Sequence, residues 1–271
     1  MAGTVIAVLV SLLLPALHSA RNAARMVQCR NNLSQLGIAI YNYEAATGVY
    51  PPGTVNPPGP IFNEPQGYHM GWLVQLLPAL EQGSLYNGMD PRFGVYEAEN
   101  AALAGASIAS MHCPISNRSS IGGFWSTSYA AVTGGSDVPI SMTNDGLFFL
   151  NSSTSMKQIR DGASNTIMLG ERQQNSVPNG IDLGWSSGTA ASLRNTGVPM
   201  NSSAGMDTFG EDGDGTGGFG SQHGPGAMFL FADGSVTFLS EKIDAATFSN
   251  LGTRDSGRDV AGIKFRSGDG F

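Results

Sequence analysis

Four histidines and two cysteines carry most of the ligating and acid–base chemistry open to this chain. His18, His69, His112 and His223 never fall at HxxxH or HExxH spacing, so a zinc site would have to be assembled from residues distant in sequence, and none is expected. No GxSxG elbow or Walker-type loop occurs, and GTGGFGSQHGPG lacks the strand-to-helix context in which glycines cradle phosphate. The spacing of Cys29 and Cys113 excludes a zinc knuckle or a thioredoxin-type pair. Two readings of them stay open. In an oxidising compartment they could form one disulfide, closing a loop of about 85 residues; otherwise they are two buried thiols. Hard oxygen ligands gather in MDTFGEDGDGTGG, where Asp207, Glu211, Asp212 and Asp214 could hold calcium, although the spacing is not that of an EF-hand and a solvated acidic loop is the plainer reading. No other cofactor is expected. In IRDGASNTIMLGER, Asp161-Gly162 and Ser164-Asn165 are turn formers that feed a strand, and Glu171 at the strand end is suited to pair with an arginine or cap a loop. That stretch reads as architecture in preference to an active-site Asp/Glu pair.

Positioning such scattered groups needs a frame, and its main member is the stretch from Val5 to about Ala46. Residues 1–17 carry no charge, and Pro15 lies where it would kink a helix. From residue 18 to 46 the pattern is amphipathic, with Met26, Cys29, Leu33, Leu36, Ile40 and Tyr43 on one stripe at gaps of three and four. The pattern predicts a spine helix over 1–46, greasy at one end and packed by the other against a head formed by 47–271. A cleavable signal fits poorly, because no basic residue precedes the apolar run and His18 occupies a position that wants a small side chain.

After the proline-rich VYPPGTVNPPGP, Trp72, Leu73, Leu76, Leu77 and Leu80 predict a short helix interrupted by Pro78, and YEAENAALAGAS a second. The runs SIASMHC, SYAAV, GLFFL and TIMLGER then read as strands between turn-forming clusters. AMFLFADGSVTFLS predicts a hairpin with a two-residue type I′ turn at Asp233-Gly234. Residues from Ser186 to Gly226 are glycine-rich and aperiodic, and predict surface loops. The composition agrees with a loop-rich α+β chain: 37 of 271 residues are glycine and only 13% are charged. A net charge of −7 without a basic patch excludes a nucleic-acid partner.

The segment VIAVLVSLLLPALHSARNAARMVQCRNNLSQLGIAIYNYEAATGVYPPG resembles the N-terminal region of planctomycete-type prepilin-like proteins, the domain-of-unknown-function 1559 family. Three further stretches share the resemblance: Cys113-Pro114; Asp161, Gly162, Ser164, Asn165 and Thr166 with Gly170-Glu171; and His223 followed after nine residues by Asp233-Gly234. The family resembles type IV pilins and type II secretion pseudopilins. The resemblance implies an α+β pilin-like fold, with a long N-terminal helix on an antiparallel sheet bearing long loops. It implies a non-catalytic structural subunit, anchored in the inner membrane by the helix with its head extracytoplasmic. Its partners would be copies of itself and other pilin-like subunits, and its place the cell surface once assembled. The chain departs from the pattern at Met1-Ala2-Gly3-Thr4, which shows neither a basic leader nor the early glutamate, so a spine lacking the processing site is expected. Two rivals remain: a membrane-anchored module binding a glycan or other ligand through its loops, and an enzyme built on His223, Asp233 and Glu171.

Overall fold

A computed structural model describes residues 2–116, 120–173, 181–202 and 215–257. Helix α1 spans Ala2–Thr47 and continues through Pro15. Every described side chain from Leu14 to Arg25 is exposed. Below them the predicted stripe is buried: Cys29, Leu33, Leu36 and Ile40 are fully enclosed, with Met26 and Tyr43 packed at the margins. Gly48, at a positive φ of 82°, stops the helix by donating its amide to the Glu44 carbonyl at 2.7 Å, the left-handed cap that glycine adopts without Cβ strain.

A short ribbon follows, β1 (Thr54–Val55) against β2 (Met70–Gly71), and then α2 (Trp72–Leu76), which a 3₁₀ turn over Leu77–Leu80 prolongs at Pro78. Two more short helices, α3 (Gly83–Asn87) and α4 (Ala101–Ala104), precede the ribbon β3 (Ser120–Ile121) and β4 (Phe124–Trp125). The central sheet takes β5 (Tyr129–Val132), β6 (Ile167–Glu171), β7 (Leu193–Arg194), β8 (Gly226–Phe231) and β9 (Val236–Ser240) in the order β7-β5-β6-β8-β9. Its pairings are antiparallel except β5 with β7, which is parallel. The last described element is α5 (Ala245–Leu251).

The sheet is covered on both sides, so β5, β6 and β8 are buried along their whole length instead of alternating. Tyr129, Leu169 and Leu230 face the spine, while Ala130, Val132, Phe229 and Phe231 face Phe219 and the Phe248 and Leu251 of α5. Gly37 lets α1 settle on β8, since a Cβ there would stand 3.0 Å from Leu230 Cδ2.

Several expectations are corrected. The Asp233-Gly234 hairpin forms, but its loop is Ala232–Gly234: Phe231 accepts from the Gly234 amide and donates to Ser235, and only Gly234 has positive φ. That is the three-residue loop built on a type I turn with a glycine bulge, favoured because Asp233 Oδ1 accepts from both the amide and the hydroxyl of Ser235. SIASMHC forms a 3₁₀ turn at Ala109–Met111, and GLFFL packs Leu147, Phe148 and Leu150 into the core without becoming a strand. The described part of Ser186–Gly226 is largely interior, because its small side chains allow close backbone approach: a Cβ on Gly188 would meet Thr54 Oγ1 at 2.2 Å.

Candidate functional site

Four elements converge where the spine crosses the sheet. Cys29 comes from α1, Cys113 from just beyond the 3₁₀ turn, Glu171 from the end of β6, and His223 from the turn entering β8. Cys29 and Cys113 form a disulfide with Cα atoms 5.1 Å apart, which decides between the two readings of these residues. His223 Nε2 lies 3.1 Å from the sulfur of each cysteine and 3.3 Å from Glu171 Oε1. All four ligating atoms fall within 4.8 Å of one another.

The surroundings hold this cluster still. Glu171 Oε2 accepts the Met228 amide of β8 at 2.9 Å, whereas its Oε1 is buried without a hydrogen-bond partner. The Tyr129 hydroxyl donates to the Cys29 carbonyl at 3.4 Å and accepts from Asn32 Nδ2, which also donates to the His112 carbonyl at 2.8 Å. The backbones on both sides of the disulfide are thereby tied to β5. Burial, with the Glu171 charge adding, pushes the Tyr129 hydroxyl above its ordinary range, so it stays protonated and able to donate.

Sequence reasoning missed a second buried group. Arg172, next to Glu171, donates from Nε to the Thr127 carbonyl and pairs with Asp182 at 2.5 Å, both side chains being almost wholly enclosed. Asp182 Oδ1 in turn accepts the Gly184 amide. Arg194 on β7 donates to the Thr216 carbonyl, and burial with the nearby Arg172 charge pushes its guanidinium down to about 9. A charge embedded in the apolar run TIMLGER was the available signal, because charged residues are seldom enclosed without a partner.

The other predicted residues are dispersed. Asp161 accepts from Thr253 Oγ1 and from the amide and hydroxyl of Ser256, clamping the exit of α5. Gly162 sits at a φ of 91° there, Ser164 falls within a 3₁₀ turn over Ala163–Asn165, Asn165 bonds the Asp161 carbonyl, and Thr166 bonds the carbonyls of Gly162 and Thr253. These bonds tie residues 161–166 to the segment that follows α5. Asp233 and Gly234 lie at the hairpin tip beside Tyr41, whose hydroxyl donates to the Ala232 carbonyl. Tyr41 is twelve residues along α1 from Cys29, about 18 Å of helix, so Asp233 does not join His223 and Glu171. Asp207, Glu211, Asp212 and Asp214 lie outside the described residues.

His69 is buried against Tyr96, its Nδ1 being 3.0 Å from the Tyr96 hydroxyl, and burial pushes its pKa from 6.5 down to about 4. The unfolded chain therefore takes up this proton first as pH falls. Stability should drop between pH 6.5 and 4, by up to about 3 kcal/mol, and be insensitive to this group above pH 7. Thermal melts across that window test the effect. His69→Asn, which tolerates the positive φ of 39° at this position, should flatten the profile, and an unaltered profile in that variant would assign the pH dependence elsewhere.

A family model described as a protein of unknown function, DUF1559, matches residues 18–246. Neither the curated proteins nor the solved structures contain a match.

Proposed function

We propose that this chain, which belongs to the DUF1559 family, is a structural subunit of a filament of the type IV pilus or type II secretion pseudopilus kind, assembled through α1. One observation carries the reading: a single helix of 46 residues buries its lower half in the head and leaves the described side chains from Leu14 to Arg25 exposed. At 1.5 Å per residue the helix is about 69 Å long, well beyond what the head needs. The stretch from Met1 to Leu17 has no charge, and Leu14 and Leu17 are each about half exposed. An apolar helix surface without a partner among the described residues gains most from packing against like helices or lipid. Val27 and Ile38 add to this surface; they are 57% and 60% exposed, and eleven residues, three turns, set them on one face.

The reading includes an inner-membrane platform and an extracytoplasmic head. A disulfide between Cys29 and Cys113 supports it, because such bonds persist in oxidising compartments. Among the described residues no helix is long and apolar enough to cross a membrane.

The test compares the whole chain with one lacking residues 1–17. Deletion should abolish assembly, seen by sedimentation and electron microscopy, while circular dichroism of the head is retained. Mass spectrometry of surface filaments from the native source should identify the chain. Undiminished assembly by the shortened chain, or filaments that lack this protein, would refute the reading.

A further inference from the structure

The disulfide sits inside a ligand set that fits a metal better than it fits a structural crosslink alone. A crosslink between spine and head needs two sulfurs and apolar surroundings. Here a histidine nitrogen approaches both sulfurs equally, at 3.1 Å, and a carboxylate closes the fourth corner. Glu171 is 2% exposed and its Oε1, which lacks a hydrogen bond, faces His223 Nε2 at 3.3 Å; a carboxylate so enclosed is costly unless a protonated imidazole or a bound cation meets it.

We propose that Cys29, Cys113, His223 and Glu171 are the four ligands of a closed tetrahedral site for a zinc-class divalent cation, formed when the disulfide is reduced. Two thiolates, one imidazole and one carboxylate make a borderline-soft set that suits zinc, and four protein ligands leave no open position for catalysis. The geometry is close to what such an ion requires. Bond lengths of about 2.3 Å to sulfur and about 2.0–2.1 Å to nitrogen and oxygen put a tetrahedral nitrogen about 3.4 Å from the oxygen and about 3.6 Å from each sulfur. The nitrogen–oxygen separation of 3.3 Å already meets the first requirement. Each sulfur must retreat from His223 by roughly 0.5 Å, and the two sulfurs must part from a bonded separation of about 2.05 Å to about 3.8 Å, once the covalent bond is gone. The outer contacts are in place as well, since the Met228 amide orients the carboxylate through its other oxygen.

The steps balance with a dithiol reductant. It passes two electrons to the Cys29–Cys113 bond and closes to its own cyclic disulfide, leaving two thiols on the chain. These release two protons as they bind the cation, while His223 contributes neutral Nε2 and Glu171 its carboxylate. Metal and disulfide are then alternative locks on one joint between spine and head, selected by thiol redox state. The inference does not depend on filament assembly.

Cobalt(II) is the probe. The full chain is reduced anaerobically with a dithiol, freed of excess reductant, and titrated with cobalt. One equivalent should bind with a thiolate-to-cobalt charge-transfer band and the intense visible bands of tetrahedral cobalt, and zinc should displace it. His223→Ala and Glu171→Gln, with folding followed by circular dichroism, should each weaken binding by more than the about 10- to 100-fold that loss of an outer contact costs. If the reduced chain unfolds, refolding on addition of zinc supports the site. Absence of binding, octahedral spectra, or tetrahedral cobalt unaffected by both substitutions would overturn it.

Discussion

Replacing Cys29 and Cys113 together by alanine should lower the melting temperature by about 9–18 °C, measured by calorimetry with chelator present. The disulfide spans 84 residues of sequence, and the chain-entropy account of a closed loop that size gives about 4.5 kcal/mol through the unfolded state. For a chain of this length each kcal/mol shifts the midpoint by about 2–4 °C. The loss should not dissolve the joint, because Leu33, Leu36 and Ile40 remain buried against the sheet and Tyr129 still holds the Cys29 carbonyl. Hydrogen exchange should therefore quicken most in α1 around Cys29 and in the segment about Cys113. A shift below about 2 °C would mean that the spine is held by packing alone.

The second large effect concerns Arg172 and Asp182. Arg172→Met leaves a buried carboxylate without its partner, which costs about 3–5 kcal/mol, whereas removing both charges costs far less. Arg172→Met with Asp182→Asn should therefore recover most of the stability lost in the single variant. Asparagine keeps an acceptor for the Gly184 amide, so the comparison isolates the charge. The Thr127 carbonyl loses its donor in both variants, which sets the residual deficit. Denaturant melts of the two variants decide the matter. Equal stabilities in the single and double variants would show that solvent reaches the Asp182 carboxylate and that the pair contributes little.

Both effects depend on residues that local sequence patterns do not connect, and this marks the boundary of what the chain declares about itself. Periodicity alone specified the spine stripe from Met26 to Tyr43, because gaps of three and four bury one face of a helix whatever the rest of the chain does. Turn chemistry likewise specified the hairpin at Asp233-Gly234, although the loop length depended on how Ser235 bonds back to Asp233. Motif resemblance at both ends anticipated the family and the α+β class. Tertiary structure decided the rest. Residues 29, 113, 171 and 223 meet only because β6 and β8 lie side by side beneath the spine, and no spacing encodes that adjacency. The Gly/Ser/Thr/Ala segment from Ser186 to Thr196 reads as a loop by composition yet is buried, because small side chains are what lets backbones pack closely. Arg172 found Asp182 by the same route: a long side chain leaving a fully buried strand must meet its counter-charge wherever the fold brings one.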